Sequence, residues 1–381
     1  MTDNKREIYI HIPFCERKCP YCDFLSAAAD EGEKTAYKAA LLNEMTFRAK
    51  NAGCDEIDSI FIGGGTPTTM RPGHIGEILE CAFEGFNVAA DAEITMECNP
   101  KTVNEEGLRA YRRVGVNRLS IGLQSADDGE LRTLGRIHTF SDFKSTFRLA
   151  RDAGFSNINV DLMFAIPYQT EESYKTTLRK AIALRPEHIS AYSLIVEEGT
   201  PLHDMVFKKH SVPLADEETE RRMYYDTKEM LSAAGYRHYE ISNFSVRGFE
   251  CRHNIGYWTG RQYFGFGLGA SSYLNGERFK NTSDMEEYVK NAGCPENPKR
   301  ELQKLSESDM MEEFMFLGLR LTDGISKNEF TRRFGKSFDD VYGPVATELA
   351  ADGLLLQEGD NVRLTARGLD LNNYASAKFL F

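Results

Sequence analysis

Three cysteines crowd into eight residues near the start of the chain, within the run Tyr9-Ile10-His11-Ile12-Pro13-Phe14-Cys15-Glu16-Arg17-Lys18-Cys19-Pro20-Tyr21-Cys22-Asp23-Phe24. The C-x-x-x-C-x-x-C spacing lets one loop wrap several thiolates around a compact centre, and thiolates are soft ligands that suit zinc or iron–sulfur. A closed structural zinc site wants four protein ligands, and no partner C-x-x-C pair follows downstream. An iron–sulfur cubane held by three cysteines leaves one iron open to a small molecule. Structural cysteines have no reason to fall at ligand spacing, so a turn that merely packs three of them is the poorer account.

The rest of the chain sets the bounds on what this loop serves. Its 381 residues suffice for one large domain and a smaller one. With 46 Lys and Arg against 58 Asp and Glu, the formal charge of −12 argues against a nucleic-acid partner held by phosphate neutralisation. Met1-Thr2-Asp3-Asn4-Lys5-Arg6 leads into a strand rather than a signal-peptide core, so none is expected. No segment reaches the roughly 18 apolar residues of a membrane span, which leaves only peripheral membrane association open. Cys54, Cys81, Cys98, Cys251 and Cys294 are scattered without disulfide-like spacing. A reducing cytoplasm is the expected home.

Apolar runs then alternate with amphipathic ones. Strands are expected at Ile8–Ile12, Ile57–Ile62, Ala92–Glu97, Arg118–Leu123, Ile158–Phe164 and His188–Ile195, all near-continuously apolar. Helical patterns separate them at Glu33–Ala52, His74–Phe83, Asn104–Val114, Ser141–Ala153 and Glu171–Leu184. Such alternation means parallel βα units, in either a barrel or an open doubly wound sheet. Polar residues gather where these strands end: Gly63-Gly64-Gly65-Thr66-Pro67-Thr68 after the second, Glu97 at the third, Gln124 at the fourth, and Asp161 within the fifth. Carboxyl ends of parallel strands meet at one face, where sites form. Glycines there let the backbone approach a ligand closely.

These features resemble the radical S-adenosylmethionine (SAM) family, in which the open iron chelates the amino and carboxylate groups of SAM. Tyr-x-His-Ile-Pro-Phe-Cys, Gly-Gly-Gly-Thr-Pro-Thr, Leu-Ser-x-Gly-x-Gln and Asp161-Leu162-Met163 are similar, more narrowly, to the oxygen-independent coproporphyrinogen III oxidase group and its haem-chaperone relatives. The resemblance implies an α/β fold: a partial (β/α)6 TIM-like radical SAM barrel over roughly the first two-thirds of the chain. By the same likeness Cys15, Cys19 and Cys22 ligate a 4Fe–4S cluster, and Tyr9 and Tyr21 pack near cluster and SAM. Gly64 would meet the methionine moiety, with Glu97 nearby. In the oxidase a second SAM lies beside the first, and its contacts match Gly65, Thr66, Gln124, Arg136 and Asp161. Whether one SAM or two binds stays open. The reduced cluster would give one electron to the SAM sulfonium and generate a 5′-deoxyadenosyl radical, with the protein aligning the groups and excluding solvent. Arg136 offers a planar fork for a carboxylate, though a surface arginine on a helix reads the same. His11 reads as a packed residue rather than a ligand.

Past residue 235 the pattern changes. Residues 1–235 are expected to form the barrel, 236–300 a linking region, and 301–381 a small domain. The linking region holds Cys251-Arg252-His253-Asn254-Ile255-Gly256-Tyr257-Trp258, with the chain's single tryptophan. It reads either as a connecting loop with His253 as a hydrogen bonder, or as an aromatic-rimmed surface with an imidazole for haem, Cys251 being the rival ligand. The haem-chaperone group carries the same His-Asn-x-x-Tyr-Trp motif. Helices at Ser306–Leu321, Ser326–Phe334 and Phe338–Asp352, a hairpin over Leu354–Leu364 and a terminal helix after Thr365 resemble a winged helix. Its 9 Lys and Arg against 14 Asp and Glu favour a lid or docking role over DNA.

Two functions follow. One is a haem chaperone that binds a 4Fe–4S cluster, SAM and haem as cargo, meets an electron donor, and passes haem to recipient haemoproteins. The other is coproporphyrinogen III oxidase, decarboxylating two propionates; a radical SAM enzyme acting on an unrelated substrate is weaker. Three departures set the oxidase second. Asp23-Phe24 follows Cys22 where the oxidase pattern has another cysteine, only eight residues precede Tyr9, and the His-Asn-x-x-Tyr-Trp motif is present.

Overall fold

The computed structural model describes residues 5–292 and 300–381, so Cys294 lies outside the described residues. Strands β1 (Lys5–Ile12), β2 (Glu56–Gly64), β3 (Asn87–Cys98), β4 (Arg118–Gln124), β5 (Ile158–Phe164) and β6 (His188–Ser193) pair in parallel, in chain order. Helices α1 (Glu31–Ala49), α2 (Pro72–Gly85), α3 (Glu105–Arg113), α4 (Asp128–Thr133), α5 (Phe140–Asp152) and α6 (Glu171–Ala183) make the crossovers. Their starts are written locally. Asp30 and Thr139 close capping boxes with Glu33 and Asp142, and Asn104 caps α3.

Alternation along the strands divides inside from outside. Ile8, Ile10, Ile60, Ile62, Leu119, Ile121, Val160 and Leu162 are buried in one apolar core. The other face is polar: Glu7, Ser59, Glu93, Thr95, Arg118, Ser120, Asn159 and His188 are buried and, with Asp161, take part in hydrogen bonds or ion pairs inside the sheet's concave side. Near-continuous apolarity, expected from the sequence, therefore holds for one face only. The concave face hosts a cavity and a hydrogen-bonded floor, and buried polar groups survive there because they are partnered.

After β6 come α7 (Pro201–His203) and α8 (Glu217–Ala233). The described residues of the stretch expected as a linking region lengthen the sheet at both edges. β7 (Arg237–Glu240) pairs antiparallel with β8 (Asn243–Ser245), which pairs antiparallel with β6, α9 (Arg252–Trp258) follows, and β9 (Tyr263–Phe266) pairs parallel with β1. β10 (Ser271–Leu274), β11 (Glu277–Lys280), α10 (Met285–Asn291) and β12 (Arg300–Lys304) complete it. The twelve-stranded order β12-β11-β10-β9-β1-β2-β3-β4-β5-β6-β8-β7 does not close on itself, so the barrel is partial. The carboxyl-terminal part has its own core, around Met315, Leu319, Phe330, Phe338, Tyr342 and Leu349. It contains α11 (Glu307–Gly318), β13 (Ile325–Ser326), α12 (Lys327–Phe334), α13 (Phe338–Ala351), β14 (Leu355–Glu358), β15 (Asn361–Leu364), α14 (Ala366–Asp370) and α15 (Asn372–Ala377). With strand order β13-β15-β14 this is a winged-helix-like arrangement, its last helix broken into two.

Candidate active site

The cysteine loop leaves β1 and is clasped at both ends. Cys15 N donates to Ala27 O at 3.0 Å and Ala27 N to Pro13 O at 2.9 Å, while Phe14 packs edge-on against Tyr37. The end of β2 is tied to the loop's base, Gly65 N donating to Ile12 O at 2.8 Å and Thr66 N to Phe14 O at 2.7 Å. Here the glycines serve the loop itself. A Cβ on Gly65 would lie 2.7 Å from Phe14 O and 3.0 Å from Cys15 Sγ. Gly64 has φ +114°, and a Cβ there would meet the His11 ring at 2.7 Å.

Cys15, Cys19 and Cys22 are half-buried and line a cavity of about 420 Å³. Among the described residues no three His, Cys, Asp or Glu side chains converge on a single metal ion. A polynuclear cluster makes no such demand, because each thiolate meets its own iron. Cys98 also lines the cavity, but its thiol donates to Asn99 O at 3.7 Å and burial pushes its pKa up to about 12. It sits at the end of β3 rather than in the loop, and the three loop cysteines remain the fitting donor set for an iron–sulfur cluster.

Opposite the thiols the strand ends converge as the sequence suggests. Gly64, Gly65, Thr66, Glu97, Gln124, Arg136, Asp161 and Tyr21 all line this one cavity. Glu97 accepts from Gly64 N at 3.1 Å. Burial, then the charge of Asp161, raise its pKa to about 8 against the opposing effect of that N–H. Gln124 sits at φ +69°, a sparsely populated conformation for a non-glycine residue, and its Oε1 accepts from Tyr192 OH at 3.0 Å. Arg136 is not a free surface arginine. It reaches Gly122 O at 3.2 Å and Cys19 Sγ at 3.9 Å, and its buried Nε has no partner among the described residues. Sequence reasoning missed Asn99 and Tyr192. Asn99 accepts from Arg136 Nη2 at 2.5 Å and donates to Thr66 Oγ1 at 2.7 Å, joining two predicted site residues. Its place two residues beyond Glu97, at a strand end, was the available signal.

Residues 9–181 match the model of the Radical SAM superfamily, and residues 305–371 that of the HemN C-terminal domain. The chain is 37% identical to the Heme chaperone HemW of Bacillus subtilis (strain 168), over 98% of this chain and 99% of that one. It is 34% identical to the Heme chaperone HemW of Lactococcus lactis subsp. lactis (strain IL1403), over 100% and 98%. The chain belongs to the HemW family of the radical SAM superfamily. Its fold is shared with the coproporphyrinogen III oxidase HemN of Escherichia coli, with a TM-score of 0.84 at 22% identity, covering 98% of this chain and 89% of that structure.

Tyr9, His253 and Cys251, all singled out in the sequence, stand away from the cavity lining. Tyr9 points into the concave interior, where its OH meets His11 Nδ1 at 3.0 Å and its ring stacks on Phe61. The motif shared with the haem-chaperone group forms α9, and His253 is only 1% exposed. Its Nδ1 meets Ser59 Oγ at 2.9 Å, its Nε2 meets Tyr257 OH at 3.1 Å, and its ring stacks on Phe61 at 5.2 Å. Burial, then the charges of Arg118 and Arg261, hold its pKa down at about 3. In this structure the segment packs as a barrel floor, with both ring nitrogens of His253 engaged in hydrogen bonds. Cys251 is equally enclosed, its thiol 3.5 Å from Glu93 Oε1. In this packing neither residue offers a lone pair to a haem iron.

Proposed function

We propose that this chain is a haem chaperone that carries a 4Fe–4S cluster and SAM in the cavity and delivers haem to recipient haemoproteins. The observation that carries the proposal is the convergence of three half-buried thiols with Glu97, Gln124, Arg136 and Asp161 on one cavity, in a chain alike over its whole length to proteins named heme chaperones. Cys15, Cys19 and Cys22 would hold the cluster. When bound, the cluster supplies single electrons, received from a separate donor, to SAM. Glu97 and Gly64 would orient the methionine end, Asp161 and Gln124 the ribose hydroxyls, and Arg136 a carboxylate through its guanidinium. Thr66, Gly65 and Tyr21 would shape the wall around them. The interior placement of His253 and Cys251 directs the search for the haem ligand away from the barrel floor. In this reading residues 1–235 are the barrel domain, 236–300 the linking region that carries the His-Asn-x-x-Tyr-Trp motif, and 301–381 a partner-docking domain.

The second reading, coproporphyrinogen III oxidase, is favoured by the shared fold alone. One anaerobic experiment separates them. Protein with a full cluster is given coproporphyrinogen III, SAM and a strong reductant, and haem-loaded protein is separately mixed with an apo-haemoprotein. Haem transfer without turnover is the expected result. Multiple turnovers to protoporphyrinogen would overturn the chaperone reading.

A further inference from the structure

Behind Asp161 runs a file of hydrogen bonds to which the proposed function assigns no role. The two carboxylate oxygens accept from different neighbours, Oδ2 from Ser120 Oγ at 3.0 Å and Oδ1 from Asn159 Nδ2 at 2.7 Å. Asn159 is itself fixed on every side. Its nitrogen also donates to Ser120 Oγ at 2.7 Å, while its oxygen accepts from Ser190 Oγ at 3.1 Å and lies 2.6 Å from His188 Nδ1. The contacts follow the sheet register, in which Asn159 stands opposite Ser120 on one side and His188 on the other. Asn159 is 2% exposed and His188 is fully buried.

Proton positions follow from what each group can do. Asn159 turns its nitrogen to the carboxylate, so its oxygen faces His188 and the imidazole carries its proton on Nδ1. The Nε2 of His188 then accepts from Tyr239 OH at 2.8 Å, and Tyr239 oxygen accepts from Cys251 N at 3.2 Å. Burial and the nearby Arg118 charge keep the imidazole neutral, as this pattern requires. A barrel interior that needed only bulk would be filled with branched apolar side chains. A fully partnered polar file that ends on a cavity carboxylate fixes that carboxylate's orientation.

We infer that Asn159 and His188 are positioning residues, which touch no ligand themselves and hold the Asp161 carboxylate in one orientation for the hydroxyls of SAM. The inference rests on the proposed placement of SAM against Asp161. It is tested by equilibrium binding of SAM to anaerobically reconstituted full-length protein, with cluster content and melting temperature measured alongside. His188→Asn keeps an amide nitrogen near the Nδ1 position and can still donate to Asn159, whereas His188→Gln places its amide at the Nε2 end and loses that donation. His188→Gln should weaken SAM binding about tenfold, and His188→Asn less than about threefold. A merely structural role would follow volume, because the smaller asparagine leaves the larger void and the lower melting temperature. Affinities that track melting temperature, or that equal wild type in both variants, would overturn the inference. Should neither His188 variant fold, Ser190→Ala, which removes a donor to Asn159 Oδ1 and does not line the cavity, decides: about fivefold weaker binding at full cluster content supports the file, and wild-type affinity overturns it. Wild-type protein that holds a cluster yet binds no SAM would remove the placement itself, a failure distinct from variants indistinguishable from a SAM-binding wild type.

Discussion

Glu97 is the residue at which the cavity's electrostatics can be read most directly. With a pKa near 8 it is largely protonated at pH 7. The sign of its effect on stability is the reverse of a salt-bridged carboxylate. A raised folded-state pKa favours the native state below the ordinary value of 4.5, and that advantage is lost as pH rises through about 8. A cationic ligand group beside Glu97 would pull the pKa down and expel the proton. SAM binding at pH 7 should therefore release nearly one proton, seen as a dependence of calorimetric heat on buffer ionisation enthalpy. Glu97→Gln should abolish the release. Equal heats in all buffers for wild type would place the charged end of SAM elsewhere. The cysteines make a sharper claim. Cys19→Ala should leave no stable 4Fe–4S centre, because the loop has no fourth thiol to substitute, whereas Cys54→Ala, at an exposed position, should reconstitute fully. Iron and sulfide analysis gives the answer, and full cluster content in Cys19→Ala would remove the assignment.

At the scale of elements, α9 shows where sequence patterns stop being informative. The six parallel strands were legible because their core-facing residues repeat, and the cavity residues because they sit at strand ends or inside a cysteine loop. Asn99 and Asn159 carried no such mark, since a buried asparagine looks like any turn residue until its partners are known. The His-Asn-x-x-Tyr-Trp segment left two readings open for a physical reason. An imidazole among aromatics suits a haem surface and a hydrogen-bonded floor equally well, and only burial distinguishes them. Gly256 shows how tightly the helix is seated: a Cβ there would fall 1.8 Å from Glu7 Oε1. Replacing His253 by Ala should cost about 2–4 kcal/mol in denaturant unfolding, from the void and from the stranded Ser59 and Tyr257 hydroxyls. Its depressed pKa adds a pH signature. A histidine kept neutral by the fold destabilises the protein as pH falls from about 6.5 toward about 3, because only the unfolded chain takes up the proton. His253→Gln should flatten that limb of the stability profile. A profile unchanged in shape would mean that the imidazole is exposed in solution, and would reopen its case as a haem ligand.

Across the whole molecule, the same helix joins the barrel to the winged-helix-like part. One side of α9 carries His253 and Tyr257 into the floor. Its end carries Trp258, whose ring lies 4.2 Å from the Arg320 guanidinium, and the following Thr259 O accepts from Arg333 Nη1 at 2.8 Å. Around it Thr322 N donates to Tyr239 O at 3.0 Å, a bridge pairs Glu240 with Leu321, and Arg278 forks onto Glu313 at 2.6 and 3.0 Å. The two cores are otherwise separate, so these polar contacts set how firmly the parts hold together. Half-exposed ion pairs contribute little individually, and a cation over an indole contributes about 0.5–2 kcal/mol. Arg320→Ala should therefore loosen the joint without unfolding either part. Trp258 is the only tryptophan in the chain and so reports on this contact alone. Its emission should shift to the red in Arg320→Ala, while amide exchange accelerates in α11 and around residues 319–322 and stays slow in β1–β6. A shift accompanied by faster exchange throughout the barrel would mean that the two parts fold as one cooperative unit. An unchanged emission would mean that the guanidinium contributes nothing to the joint, leaving the other polar contacts, the Arg278–Glu313 fork among them, to hold it.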